Sequence, residues 1–177
     1  MLGAYQIDNA ACALTAFLLV AKLEGFVPSS RDIKEALKQT NWPGRFEKIN
    51  TEPLIVIDGA HNEAASLEIQ TLLKTHFADK HIHILMAVLA DKQADKMIAA
   101  LAGLPNVTLV LTTFDGPRQV TSLEHYQMSF PMLKTVANWQ EALMMIVQEM
   151  SSDELLLITG SLYFVSDVRN YFISEDN

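Results

Sequence analysis

The 177 residues are half hydrophobic and 19% charged, with neither glycine nor proline in excess, which excludes disordered, collagen-like and disulfide-framed classes and suits one ordinary domain with its own core. A formal net charge of −8, with no lysine- or arginine-rich run to offset it, disfavours nucleic acid and membrane surfaces as partners, yet leaves a nucleotide open because a nucleotide needs only local positive groups. The lone Cys12 sits in an apolar run and reads as a buried structural thiol in a reducing, cytoplasmic setting.

The first 41 residues read as two helices. The first covers roughly Asp8 to Glu24, with Asp8 as a possible cap, and the second covers Ser30 to Thr40 after the turn Gly25-Phe26-Val27-Pro28. The apolar run Ala10 to Ala21 is too short for the ~20 residues of a membrane span and carries no signal-peptide flanks, so it reads as a buried helix. Because that helix is apolar on almost every face, it expects neighbours all round, and two helices cannot provide them. Residues 1–42 are therefore expected to be the tail of a domain completed by a missing amino-terminal part in cis. Trp42-Pro43-Gly44 forms the joint to residues 43–177, and self-association through the first helix is a possible outcome of its exposure.

From Arg45 onward strands alternate with amphipathic helices, which predicts an α/β domain with a Rossmann-like, mostly parallel sheet flanked by helices and preceded by the two-helix segment. The runs Leu54 to Ile57, Ile82 to Val88, Val107 to Leu111 and Leu155 to Ile158 are short, apolar and suited to buried parallel strands. Ala65, Ile69, Leu72, Leu73 and Phe77 share one helical face. Trp139, Ala142, Leu143, Ile146, Val147 and Met150 share another behind a cap at Asn138. Shorter helices are expected over Lys92 to Leu101 and Ser161 to Phe172. Residues 112–137 read as a loop with Gly116-Pro117-Arg118, followed by a strand near Met132 to Val136.

Ligands of open α/β sheets gather beyond the carboxyl ends of strands, and two polar, glycine-bearing turns are expected there. In Asp58-Gly59-Ala60-His61-Asn62, Asp58 is open to two readings: a helix cap, or a carboxylate that grips two ribose hydroxyls in a fork. His61 could meet a phosphate oxygen or a substrate carboxylate, or be an ordinary surface histidine; Asn62 is the better placed cap. In Thr159-Gly160-Ser161, backbone N–H groups and a hydroxyl at a helix start suit an anionic group. Arg45 could stack on or bond a nucleotide, or be a structural salt-bridge partner.

No phosphate-loop, dinucleotide, zinc-ligand or nucleophile-elbow motif occurs. His81 and His83 are expected to point to opposite faces of a strand start and to share no metal, so no metal site is expected.

Taken in order and spacing, Pro43-Gly44-Arg45-Phe46-Glu47, Asp58-Gly59-Ala60-His61-Asn62, Ala90-Asp91-Lys92 and Ile158-Thr159-Gly160-Ser161-Leu162-Tyr163 resemble folylpolyglutamate synthases, of the Mur-ligase superfamily. The opening Gly3 to Ala10 resembles the last helix of that family's central ATPase domain, so the resemblance spans nearly the whole chain; Glu63 departs from it, standing where the family usually has proline. The resemblance implies a cytoplasmic, ATP- and magnesium-dependent ligase that joins glutamate to folate through an acyl phosphate, with closure of the carboxyl-terminal domain excluding water. It implies that Asn9 and Arg45 contact the nucleotide, that Asp58 binds its ribose, and that His61 and Ser161 lie near the incoming glutamate and the transferred phosphate, with Lys92 and Arg118 as weaker candidates. The phosphate loop and magnesium ligands have no counterpart here, so the chain is expected to be silent alone. A bifunctional dihydrofolate synthase and a non-catalytic binding module stay open as alternatives.

Overall fold

A computed structural model of the protein describes residues 5–175; Gly3 and Ala4 of the opening motif lie outside the described residues. The chain divides into two compact units between Pro43 and Gly44.

The first unit holds α1 (Tyr5–Leu23) and α2 (Ser30–Gln39). Ser29 caps α2, its hydroxyl accepting the Asp32 N–H at 3.1 Å. Asp8 is not a cap: α1 begins at Tyr5, so Asp8 lies in the first turn, where its charge still favours the positive end of the helix dipole. The expectation of a buried first helix is also overturned. Ala21 alone is buried among the described residues of α1, whereas Phe17, Leu19, Val20 and Leu23 are exposed, as is Cys12. A helix apolar all round needs more neighbours than one polar partner offers, and α2 contributes no buried residue. Within α1, Gln6–Leu23 is long and apolar enough to cross a membrane by length and composition alone, a test that core helices of soluble proteins also pass.

The second unit is a six-stranded sheet in the order β1-β2-β6-β3-β4-β5, formed by β1 (Glu47–Asn50), β2 (Leu54–Asp58), β3 (Ile82–Met86), β4 (Val107–Thr113), β5 (Lys134–Asn138) and β6 (Leu155–Thr159). β1 is antiparallel to β2, and every other pairing is parallel. The strands of the middle are mostly apolar because helices cover both faces. On one face α3 (Glu63–His76), α4 (Ala94–Ala102) and α5 (Leu123–Ser129) bring Ile69, Leu73, Met97, Ile98 and Tyr126 against Val56, Ile84 and Leu157. On the other, α6 (Trp139–Glu149) and α7 (Leu162–Glu175) bring Trp139, Leu143, Phe164 and Val168 against Ile57, Leu85 and Ile158.

The expected strands and caps are found with shifted ends. Asn62 and Asn138 cap α3 and α6, accepting N–H groups at 2.8 and 2.9 Å. β3 stops at Met86 rather than Val88, β4 continues to Thr113, and the fifth strand runs Lys134–Asn138 rather than Met132 to Val136. β1 and α5 were not expected: Glu47–Asn50 holds a single apolar side chain, and α5 buries only Tyr126, so neither shows a period.

Candidate functional site

Asp58 at the end of β2 is in register with Thr159 at the end of β6, which is in register with Met86 at the end of β3. The two turns therefore leave neighbouring strands at one edge of the sheet. Beyond them the chain diverges, since α3 returns over one face and α7 over the other. That reversal is a topological switch point, the place where an open parallel sheet leaves a crevice for a ligand.

Backbone packing at this edge is tight. Gly160 has φ 112° and lies against the Ala87 carbonyl, into which any Cβ would collide, while the Ala87 N–H bonds the Thr159 carbonyl at 3.2 Å. At Gly59 a Cβ would run into the Leu162 side chain, and the Gly59 N–H donates to the Gly44 carbonyl at 2.8 Å. Three segments thus converge: Gly44 to Phe46, Asp58 to His61, and Gly160 to Leu162.

Asp58 is not a helix cap. It ends β2, is 2% exposed, and its two carboxylate oxygens accept the Phe46 N–H at 2.8 Å and the Ala60 N–H at 2.9 Å. Ser161 is fully buried; its hydroxyl accepts the Tyr163 N–H at 3.3 Å and its carbonyl the Val165 N–H at 2.9 Å, so it caps α7. His61 and Arg45 are half-buried at the same edge. His61 Nδ1 lies 2.9 Å from the Gly59 carbonyl oxygen, which can only accept, so Nδ1 carries the proton and Nε2 keeps its lone pair in the neutral ring. Asn9 is exposed on α1, in the other unit.

Lys92 and Arg118 fall beside a different stretch of the same edge. Arg118 pairs with Asp91, the Ala90 N–H donates to the Gln119 carbonyl at 2.9 Å, and Lys92 lines a cleft of about 470 Å³ with Gln119 and His125. Glu63 occupies the first position of α3, where proline is favoured elsewhere; its charge suits the helix start and pairs with Lys96 at 3.2 Å.

Sequence reasoning missed one feature of the site. The Thr159 hydroxyl, 1% exposed, has no hydrogen-bond partner among the described residues, although it belongs to the glycine-serine turn. A threonine ahead of a glycine gives no signal of this. The cationic Arg45, half-buried at the same edge, suits a polar, anionic ligand such as a nucleotide. Magnesium is different: among the described residues no group of three or more His, Cys, Asp or Glu could hold a metal ion. His81 and His83, expected on opposite faces, stand side by side with ring centroids 4.8 Å apart, because residues two apart on a strand share a face.

Fold and edge together define an α/β domain whose two polar turns meet at a topological switch point. Residues 44–162 match the Mur ligase, glutamate ligase domain, and the chain belongs to that family. The dihydrofolate synthase/folylpolyglutamate synthase of Bacillus subtilis is 31% identical over 173 residues, covering 96% of this chain and 39% of that protein. The folylpolyglutamate synthase of Lacticaseibacillus casei is 35% identical over 174 residues, with the same two coverages of 96% and 39%. A Mycobacterium tuberculosis folylpolyglutamate synthase complexed with ADP shares the fold at a TM-score of 0.82 and 24% identity, covering 96% of this chain and 40% of that one. The chain spans about two fifths of the length of the curated relatives it matches.

Proposed function

We propose that this chain is the carboxyl-terminal portion of a cytoplasmic, ATP-dependent folylpolyglutamate synthase and supplies one half of a composite active site. On this reading residues 1–42 are the helical tail of the central ATPase domain and residues 43–177 the ligase domain. The single observation that carries the reading is the in-register pairing of Asp58 with Thr159, which sets the acidic turn and the glycine-serine turn side by side at the carboxyl edge of the sheet. The relatives named above, and the ADP held by one of them, support it.

Within that site Arg45 contacts the nucleotide and Asp58 meets the ribose from the strand end; a nucleotide contact by Asn9, on α1 of the first unit, rests on the resemblance alone. A carboxylate oxygen can accept more than one hydrogen bond, so holding the Phe46 and Ala60 N–H groups is compatible with that role. ATP, when bound, supplies the phosphoryl group that converts a folate carboxylate into an acyl phosphate open to the glutamate amine. His61 lies beside the incoming glutamate, where its neutral Nε2 can take a proton. Ser161 shapes the same end of the crevice through its cap on α7 and the backbone it fixes. Magnesium ligands and the phosphate loop belong to the remainder of the protein, so the chain alone is catalytically silent.

The test is ADP release by the complete gene product with a reduced folate and glutamate, beside the 177-residue chain alone. The complete protein should release ADP only when both substrates are present, and the chain alone should release none. Release that ignores folate ends the reading, and activity of the chain alone ends the composite site. Ligation to dihydropteroate as well would favour the bifunctional alternative. A protein of this length with no phosphate loop upstream in its reading frame would favour a binding module.

Exposure of Phe17, Leu19, Val20 and Leu23 on one short segment supports self-association of the isolated chain through α1. Sedimentation at tens of micromolar should show species larger than a monomer; a clean monomer removes the proposal.

A further inference from the structure

Arg45 is carried on an unusual piece of backbone. The residues on either side, Gly44 at φ 71° and Phe46 at φ 45°, both lie in the left-handed region, and Phe46 is the one non-glycine residue there among the described residues. Such a loop keeps its shape only where its surroundings over-determine it. Here three backbone groups are pinned: the Gly44 N–H donates to Glu47 Oε2 at 2.6 Å, the Gly44 carbonyl accepts the Gly59 N–H at 2.8 Å, and the Phe46 N–H donates to Asp58 Oδ2 at 2.8 Å. The Phe46 ring is buried against Phe77, with centroids 5.8 Å apart.

Two of those pins come from the acidic turn that the site already contains. The third comes from Glu47, and Glu47 is itself held from far along the chain. Arg169 Nε donates to both of its carboxylate oxygens at 3.1 Å, with the two side chains 33% and 12% exposed. Arg169 stands roughly two turns beyond Ser161 on α7. One helix therefore shapes the glycine-serine turn with its first residues and grips the arginine loop with its third turn.

We infer that Glu47 and Arg169 are positioning residues that set the direction in which Arg45 presents its guanidinium. The inference rests on the reading of Arg45 as a nucleotide contact. A partly exposed ion pair adds little to the stability of a sheet whose middle strands are fully buried, so its larger effect is on the loop it shapes.

In the full-length enzyme the ATP KM, the glutamate KM and kcat are measured for Arg45→Ala, Arg169→Ala and the double variant. Arg169→Ala should raise the ATP KM about tenfold while the glutamate KM moves by no more than about twofold, and Arg169→Lys should recover part of the loss. Because Arg169 acts through Arg45, the double variant should be no worse than Arg45→Ala. Multiplying effects, or an unchanged ATP KM in Arg169→Ala, overturn the inference. A raised ATP KM in Arg45→Ala with none in Arg169→Ala removes the coupling and leaves the nucleotide reading standing. An unchanged ATP KM in Arg45→Ala removes both. If Arg169→Ala does not fold, Glu47→Gln carries the same cycle, since it keeps an acceptor for the Gly44 N–H and loses the charge that Arg169 meets.

Discussion

At the amino edge of the sheet the polar side chains find one another. His83 bonds Glu154 at 2.8 Å, His81 bonds the Thr108 hydroxyl at 2.9 Å, and Asn106 donates to the Lys80 carbonyl at 2.7 Å. The carboxyl edge holds left-handed backbone at Gly44, Phe46 and Gly160, a carboxylate buried under two amides, and a hydroxyl with no partner among the described residues. Both edges belong to one scaffold, so the fold alone does not demand the second arrangement. Strain and unmatched polarity have gathered where a ligand is proposed to bind, and the opposite edge resembles ordinary structural packing.

The contrast can be broken by substitutions that relax one edge and leave the other alone. Gly160→Ala should have the largest effect, because the new Cβ meets a backbone carbonyl in a conformation alanine resists; a loss of about 4 kcal/mol in chemical denaturation is expected. Asp58→Ala should follow at about 2–3 kcal/mol, since it strands the buried N–H groups of Phe46 and Ala60. Gly59→Ala should cost less, about 1–2 kcal/mol, because its obstacle is the end of the exposed Leu162 side chain. Adding Leu162→Ala should restore most of that loss, and simple additivity of the two changes would contradict the packing described.

The smallest effect belongs to the amino edge. The His83 hydrogen bond, followed by the Ser151 N–H, holds the Glu154 carboxyl below the ordinary glutamate range. A depressed folded value means that Glu154 contributes stability above the unfolded value and loses it as pH falls through the folded one. Glu154→Gln should therefore flatten the acid limb of the stability profile below about pH 4.5. At neutral pH it should change stability by under about 1 kcal/mol, as expected for a pair at the periphery of the sheet. An effect there equal to that of Asp58→Ala would erase the distinction between the edges.

Much of the scaffold was legible because its signals are local. The runs that became β2, β3, β4 and β6 are apolar and short, and Asn62 and Asn138 stand just ahead of amphipathic periods. α5 escaped because seven residues with one buried side chain make no pattern, and β1 escaped because Glu-Lys-Ile-Asn has no alternation. The first helix's demand for neighbours was legible as uniform apolarity, and the described residues leave it unmet. Of the site, the two turns were expected at a common rim of the sheet, and β2 and β6, paired across about a hundred residues, bring them side by side there. The grip of Arg169 on Glu47 is equally distant in sequence, and each residue alone looks like surface charge.

The sheet order has a temporal consequence. β6 is the last of the six strands to be synthesised, yet it sits between β2 and β3, which precede it by many residues. Until it inserts, its two neighbours have no common partner and the crevice has only one wall. Completing the domain and assembling its ligand site are therefore a single late event, dependent on non-local pairing, and a nascent chain halted before residue 155 would hold neither.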